Sequence, residues 1–225
     1  MTEPARPLEQ LQALAVQEVE VASGLRHLEL YTMGGLLTVL WHGDPSAEEA
    51  VIACGGAMGS LLGPAEGLYH DLGLALADQG IGMLRVGYRR PNDLAACVHD
   101  LAAVADLASR QGARRFVAMG HSFGGAVVIQ LAIALPSLVA GVVTLATQSA
   151  GCEQADRLAC PLLLFHGDRD ELLPPATSEM VRMVAGRGEL VVLAGSGHLL
   201  SEAASELRER LRVWVPETLA AAASV

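Results

Sequence analysis

An α/β fold, with a mainly parallel central sheet covered by helices on both faces and an antiparallel strand region ahead of it, follows from the rhythm of this sequence. Beyond residue 49, six short apolar runs alternate with longer helix-like segments, as chained strand–helix–strand units require. Several runs are apolar throughout, such as Leu162-Leu163-Leu164-Phe165 and Val191-Val192-Leu193. Strands of a parallel sheet are covered on both sides and lose the polar alternation of a half-exposed sheet.

The elements follow in order. Residues 16–21, 27–31 and 36–41 are short strands of the antiparallel region, with Gly34-Gly35 offering a tight turn between the last two. Residues 50–54, 82–86, 115–119, 141–146, 161–166 and 189–193 form the parallel set, while residues 69–79, 94–110, 123–135, 176–185 and 202–213 carry apolar side chains at helical spacing. No linker-like stretch divides the 225 residues, so the chain reads as one domain, with residues 1–14 and 216–225 as peripheral tails.

Composition narrows the function classes. Hydrophobic residues make up 52% and charged residues 18%, which places the chain among well-packed globular proteins. The net charge is −10 and lysine is absent, which argues against nucleic acid, because phosphate binding needs clustered cations. Residues 1–10 lack a basic segment followed by an apolar stretch, so the expectation is a cytoplasmic protein. Residues 116–150 hold no charge, but Gly120, Gly124, Gly125, Pro136 and Gly141 interrupt them; a membrane-spanning helix needs about 20 uninterrupted apolar positions. No membrane association is expected. Cys54, Cys97, Cys152 and Cys160 show neither metal-binding spacing nor a dense disulfide framework, so they read as reduced, packed thiols.

The chemistry gathers after three strands of the parallel set. Gly120-His121-Ser122-Phe123-Gly124-Gly125 lies where a strand gives way to a helix, the junction at which a strained turn exposes a hydroxyl. A serine needs a base to take its proton and a carboxylate to orient that base. Downstream stand Asp170, within His166-Gly167-Asp168-Arg169-Asp170, and His198, within Gly195-Ser196-Gly197-His198. Open α/β sheets place ligands beyond the carboxyl ends of their strands, where all three would arrive.

On these motifs the chain resembles the α/β-hydrolase superfamily over roughly residues 36–213, with nucleophile, acid and base in that family's order. The resemblance implies the α/β-hydrolase fold, with Ser122 as nucleophile, Asp170 as acid and His198 as base. The family's His-Gly-x-x-Asp-x-x-x-Pro pattern selects Asp170 over Asp168 and Glu171. The resemblance also implies an oxyanion hole made by the amide of Phe123 and a second amide from the loop after residue 54, Gly56 first and Ala57 second. Relatives commonly carry His-Gly where this chain has Cys54-Gly55. The serine sets the chain apart from haloalkane dehalogenases, which carry Asp at that position, and from the cysteine form of dienelactone hydrolase.

The expected activity is cleavage of carboxylic esters of small soluble substrates through an acyl-enzyme, with no cofactor and no metal. Thioesters or acyl transfer could use the same intermediate, and a non-catalytic binding module on this scaffold is the alternative of another class. Only 14 residues, Thr147 to Cys160, stand where relatives insert a lid, which predicts an open cleft. Met58, Tyr88, Arg89, Leu172 and Leu199 are the candidate substrate contacts. The remaining histidines, His121 and His166 among them, read as ordinary packed or surface residues.

Overall fold

A computed structural model describes residues 6–223. Its sheet has nine strands in the order β1-β2-β3-β5-β4-β6-β7-β8-β9. β1 (Ala15–Ala22), β2 (Leu25–Thr32) and β3 (Gly35–His42) form an antiparallel meander, and β3 joins β5 (Gly82–Gly87) antiparallel. From β5 the pairing is parallel through β4 (Glu49–Cys54), β6 (Arg115–His121), β7 (Val139–Leu145), β8 (Leu162–Gly167) and β9 (Glu189–Leu193).

The uniform apolar runs resolve into two faces by the period-2 geometry of a strand. In β4, Ala50, Ile52 and Cys54 pack in one core, while Val51 and Ala53 pack in the other. Phe116 and Ala118 of β6, with Leu162 and Leu164 of β8, join the first core; Val117, Met119, Leu163 and Phe165 join the second. The first core is covered by α3 (Leu94–Gln111), α4 (Phe123–Ala134) and α5 (Ala176–Ala185). The second is covered by α2 (Leu68–Ala77) and α6 (Ala204–Ala223).

Local chemistry sets the helix ends. The Asp93 carboxylate caps α3 by accepting the Ala96 N–H at 3.0 Å. Gly186 ends α5 in the left-handed conformation, φ 62°. Between β7 and β8 the chain forms only the short 3-10 turn Ala155–Arg157, so no helical cap stands in this connection.

Both ends are more integrated than the sequence suggests. A short helix, α1 (Pro7–Gln10), packs on α3: His99 Nε2 donates to the Pro7 carbonyl at 3.2 Å, Arg110 pairs with Glu9, and Leu11 is buried. Residues 1–5 of the expected tail lie outside the described residues. At the other end α6 runs through Pro216, and Val215 and Leu219 are fully buried. Proline disfavours helix at the residue before it, but Gly141 of β7 lets Thr218 and Trp214 approach so closely that an added Cβ would lie 2.6 Å from Thr218 Cγ2. Packing against the sheet carries the helix past the break.

Leu219→Ala therefore costs about 2–5 kcal/mol of stability, as a core truncation does, whereas a tail position would change it by less than about 0.5 kcal/mol. Urea unfolding separates the two.

Candidate active site

Ser122 occupies the single residue between β6 and α4 at φ 56°, ψ −119°. A non-glycine residue held there costs on the order of 1–3 kcal/mol, so the surroundings must enforce it. Its N–H donates to the Leu145 carbonyl at 2.8 Å, and its carbonyl accepts from Gly125 N–H at 3.0 Å. Three glycines let the chain close this tightly. A Cβ on Gly120 would strike the Gly124 carbonyl, one on Gly124 the Gly55 carbonyl, and one on Gly125 the Thr147 hydroxyl.

The loops after β8 and β9 are fastened together. Asp168 Oδ1 accepts the Gly195 N–H at 2.7 Å, and Arg169 N–H donates to the Ser196 carbonyl at 3.0 Å. Thus Asp168 secures the loop that carries His198, and Asp170 meets its ring: His198 Nδ1 lies 2.7 Å from Asp170 Oδ2. Asp170 Oδ1 accepts from the amides of Leu172 (2.9 Å) and Leu173 (2.8 Å). Burial alone pushes this carboxyl up, but the Leu173 amide, His198 and the Leu172 amide together hold it below its ordinary value. An ionised Asp170 accepting from Nδ1–H leaves His198 Nε2 as the proton acceptor.

His121, the neighbour of Ser122, connects the elbow to this pair. Its Nε2 donates to the His198 carbonyl at 3.0 Å, and the two rings lie 4.9 Å apart. Burial lowers its pKa to about 4, so the ring is neutral near pH 7. Adjacent residues on a sharp turn point apart, yet the His198 loop folds back far enough to meet His121. His166 also belongs here, fully buried with Nε2 3.2 Å from Asp170 Oδ2. Both histidines read as bland in the sequence, because their partners lie on distant loops.

The loop after β4 lies against the serine. A Cβ on Gly56 would sit 3.4 Å from Ser122 Cβ and 3.7 Å from its Oγ, at ordinary van der Waals distance, so this residue borders the serine directly. Two buried tyrosines set this loop: Tyr69 O–H donates to the Cys54 carbonyl at 2.8 Å and Tyr88 O–H to the Gly55 carbonyl at 3.0 Å. Phe123 N–H belongs to the first residue of α4, where a helix leaves its amides without intrahelical partners. Cys54 is buried with its thiol pushed up to about 12 by desolvation, and Sγ faces the Gly124 carbonyl at 3.7 Å; it is a packed thiol. All four cysteines are free and buried.

The expected substrate contacts divide. Met58, Leu172 and Leu199 are exposed, at 93%, 73% and 61%, and each stands in a loop that carries part of the site. Tyr88 and Arg89 are placed differently from expectation. Tyr88 is buried edge-on against Phe123 and, through its hydroxyl, holds the loop after β4. The Arg89 guanidinium is committed to the buried Asp100, Nε to Oδ1 at 2.5 Å, and packs under the Gly34-Gly35 turn. It is a structural ion pair rather than a cleft cation.

A depression of about 510 Å³ lined by Leu62, Pro64, His70, Leu199 and Ser201 adjoins the His198 loop. A larger one of about 850 Å³ lies by Pro136, Pro161 and Trp214, at the amino ends of β7 and β8 and so away from the chemistry. Among the described residues, no three His, Cys, Asp or Glu side chains gather to hold a metal, and no helix is long and apolar enough to cross a membrane.

Two outcomes follow. Gly124→Val forces the Gly55 carbonyl away and destabilises the fold by about 1–3 kcal/mol while lowering turnover; thermal unfolding and turnover together check this. His121 and His42 are both held near pKa 4 by burial, while the unfolded chain protonates them near 6.5. Between these values the unfolded state binds more protons, so stability falls as pH drops from about 6.5 towards 4. Urea midpoints across this window measure the slope, which His121→Gln makes shallower.

Comparison with known proteins bears on the whole arrangement. The dienelactone hydrolase family model matches residues 84–198. Est1E from Butyrivibrio proteoclasticus superposes with a TM-score of 0.74 at 17% identity, covering 86% of this chain and 99% of its own. A dienelactone hydrolase from Anabaena variabilis gives 0.73 at 18% identity, over 91% and 99% of the two chains. An α/β serine hydrolase homologue from Coxiella burnetii gives 0.69 at 22%, over 83% and 95%. No curated protein matches by sequence. At these identities the solved structures share the fold. The family match spans 115 of 225 residues, from β5 through the elbow to His198, and the chain therefore belongs to the dienelactone hydrolase family of α/β-hydrolases.

Proposed function

We propose that this hydrolase cleaves carboxylic esters of small soluble substrates through a covalent acyl-enzyme on Ser122. The observation that carries the reading is a strained elbow serine whose neighbour His121 is bonded to His198, itself held by Asp170 at 2.7 Å. His198 Nε2 takes the Ser122 proton as Oγ attacks the carbonyl, then returns it to the leaving alkoxide. Asp170 keeps the imidazole in the required tautomer and stabilises its charged form. Water, activated by the same imidazole, attacks the acyl-enzyme and frees the acid.

The tetrahedral intermediate puts negative charge on the former carbonyl oxygen. Phe123 N–H and an amide from Gly56 or Ala57 are the donors proposed for it, each worth about 3–4 kcal/mol by analogy with a measured oxyanion hole. The start of α4 adds a favourable dipole. Met58, Leu62, Leu172 and Leu199 are proposed to form an apolar rim for the acyl or leaving group; all are exposed. The short β7–β8 connection leaves this rim uncovered, which favours soluble esters over a tunnel-bound lipid. The neighbour Est1E has a solved complex with ferulic acid, which supports an aromatic acyl group as one to try.

Ser122→Ala lowers kcat on p-nitrophenyl esters by at least about 10⁴-fold while leaving the fold intact. A fluorophosphonate probe adds one adduct to the wild-type chain and none to this variant. A folded wild-type protein that neither turns over p-nitrophenyl esters nor takes the label would instead make the scaffold a binding module. Parallel assays with thioesters and alternative acyl acceptors separate the other uses of an acyl-enzyme.

A further inference from the structure

Asp170 Oδ2 lies beside two imidazoles, and the proposed mechanism uses only one of them. His166, on β8, is fully buried. Its Nε2 lies 2.8 Å from the Leu173 carbonyl and 3.2 Å from Asp170 Oδ2. A carbonyl can only accept, so Nε2 carries the proton and donates it to Leu173, with Asp170 Oδ2 as a close neighbour of the same N–H. In the neutral ring Nδ1 then accepts, and the Ser178 hydroxyl of α5, also fully buried, stands 2.6 Å away to donate.

From this chain of contacts we infer that His166, fixed in one tautomer by Ser178, is a positioning residue that sets both the place and the basicity of the Asp170 carboxylate. It acts twice on the same group. Directly, the polar Nε2–H stands 3.2 Å from Oδ2, the oxygen that also receives His198, and its dipole acts on the carboxylate's charge. Indirectly, it anchors the carbonyl of Leu173, whose own N–H holds Oδ1. The Asp170 carboxylate is thus steadied at Oδ1 through Leu173 and faced at Oδ2 by a polar N–H, a device rooted in β8 and α5, elements that contribute no reacting atom. The titratable groups facing it are His166 from β8, His198 from the loop after β9 and His121 from the end of β6. Removing the His166 donor leaves the carboxylate more basic and less constrained. It then favours the protonated form of His198 more strongly and holds the ring less well.

The inference rests on the serine-esterase reading, and the test keeps the two apart. Wild type, Ser122→Ala, His166→Leu, His166→Gln and Ser178→Ala are assayed on p-nitrophenyl acetate across pH, with folding followed by circular dichroism. His166→Leu loses about 10- to 100-fold in kcat, the scale of a small misplacement of a reacting group. Its acidic limb of kcat/KM moves up by roughly half a pH unit. His166→Gln, whose side-chain amide can donate from nearly the same place, recovers much of both changes. Ser178→Ala, which frees the ring to adopt the opposite tautomer, shows the same limb movement with a smaller loss.

A folded His166→Leu with an unmoved acidic limb and near-normal kcat overturns the positioning role. So does a uniform loss of rate with the limb in place, which is the signature of a merely structural residue. If His166→Leu does not fold, Ser178→Ala decides by the same criteria. Retained turnover in Ser122→Ala would instead remove the parent reading.

Discussion

The turn at Ser122 is the constraint on which the molecule is organised. A side chain is forced to φ 56°, ψ −119° because β6 and α4 meet with no room for a gentler path. The strain persists because the chain on either side is over-determined. Gly120 and Gly124 approach each other's backbone, Gly124 lies against Gly55, and Gly125 lies against Thr147. These contacts bring β4, β6 and the loop after β7 together at the carboxyl edge of the sheet. The same close approach that shapes the serine turn also sets the Gly55-Gly56 loop beside it, so the proposed nucleophile and the proposed oxyanion donors are products of one packing arrangement.

Around the elbow several buried polar groups are held in partnership, although the Ser196 and Thr144 hydroxyls are not. Tyr69 and Tyr88 hold consecutive carbonyls of the loop after β4, Asp168 and Arg169 tie the Asp170 loop to the His198 loop, and His121 ties the His198 loop back to the elbow. A buried polar group left unpaired is costly, and a fully paired network is rigid. Rigidity of this kind suits the proposed acyl-enzyme mechanism, which depends on groups already placed where charge develops. By contrast the proposed rim of Met58, Leu62, Leu172 and Leu199 is apolar and exposed. The candidate site therefore combines fixed polar groups with an exposed apolar surface.

Much of this was legible in the sequence. Strand and helix periods placed every parallel strand to within a few residues, because uniform apolar runs between polar breaks leave few alternatives. Spacing together with the family pattern pointed to Asp170 as the partner of His198, and Asp168 has a separate task. What escaped depends on distant segments meeting. His121 and His198 are 77 residues apart, and nothing local marks their contact. Tyr88 carried a readable signal: in β5 and just beyond it, Leu84, Val86 and Tyr88 alternate onto the α3 and α4 face, so its ring belongs under the elbow and not in the cleft. Arg89 carried none, since its partner Asp100 is buried only once α3 docks. The ends were misjudged for a related reason: Pro216 is a local break signal that packing of α6 against Gly141 outweighs.

The central claim is that Ser122, His198 and the amides of Phe123 and the Gly56 loop converge on one reacting carbon. A crystal structure of the fluorophosphonate adduct tests this most directly. The account predicts phosphorus bonded to Ser122 Oγ, its oxygen within about 3 Å of Phe123 N–H and of a Gly56 or Ala57 amide, and His198 Nε2 facing Oγ or the leaving-group side. Phosphorus on another residue, or on Ser122 with its oxygen directed away from both amides, would contradict it.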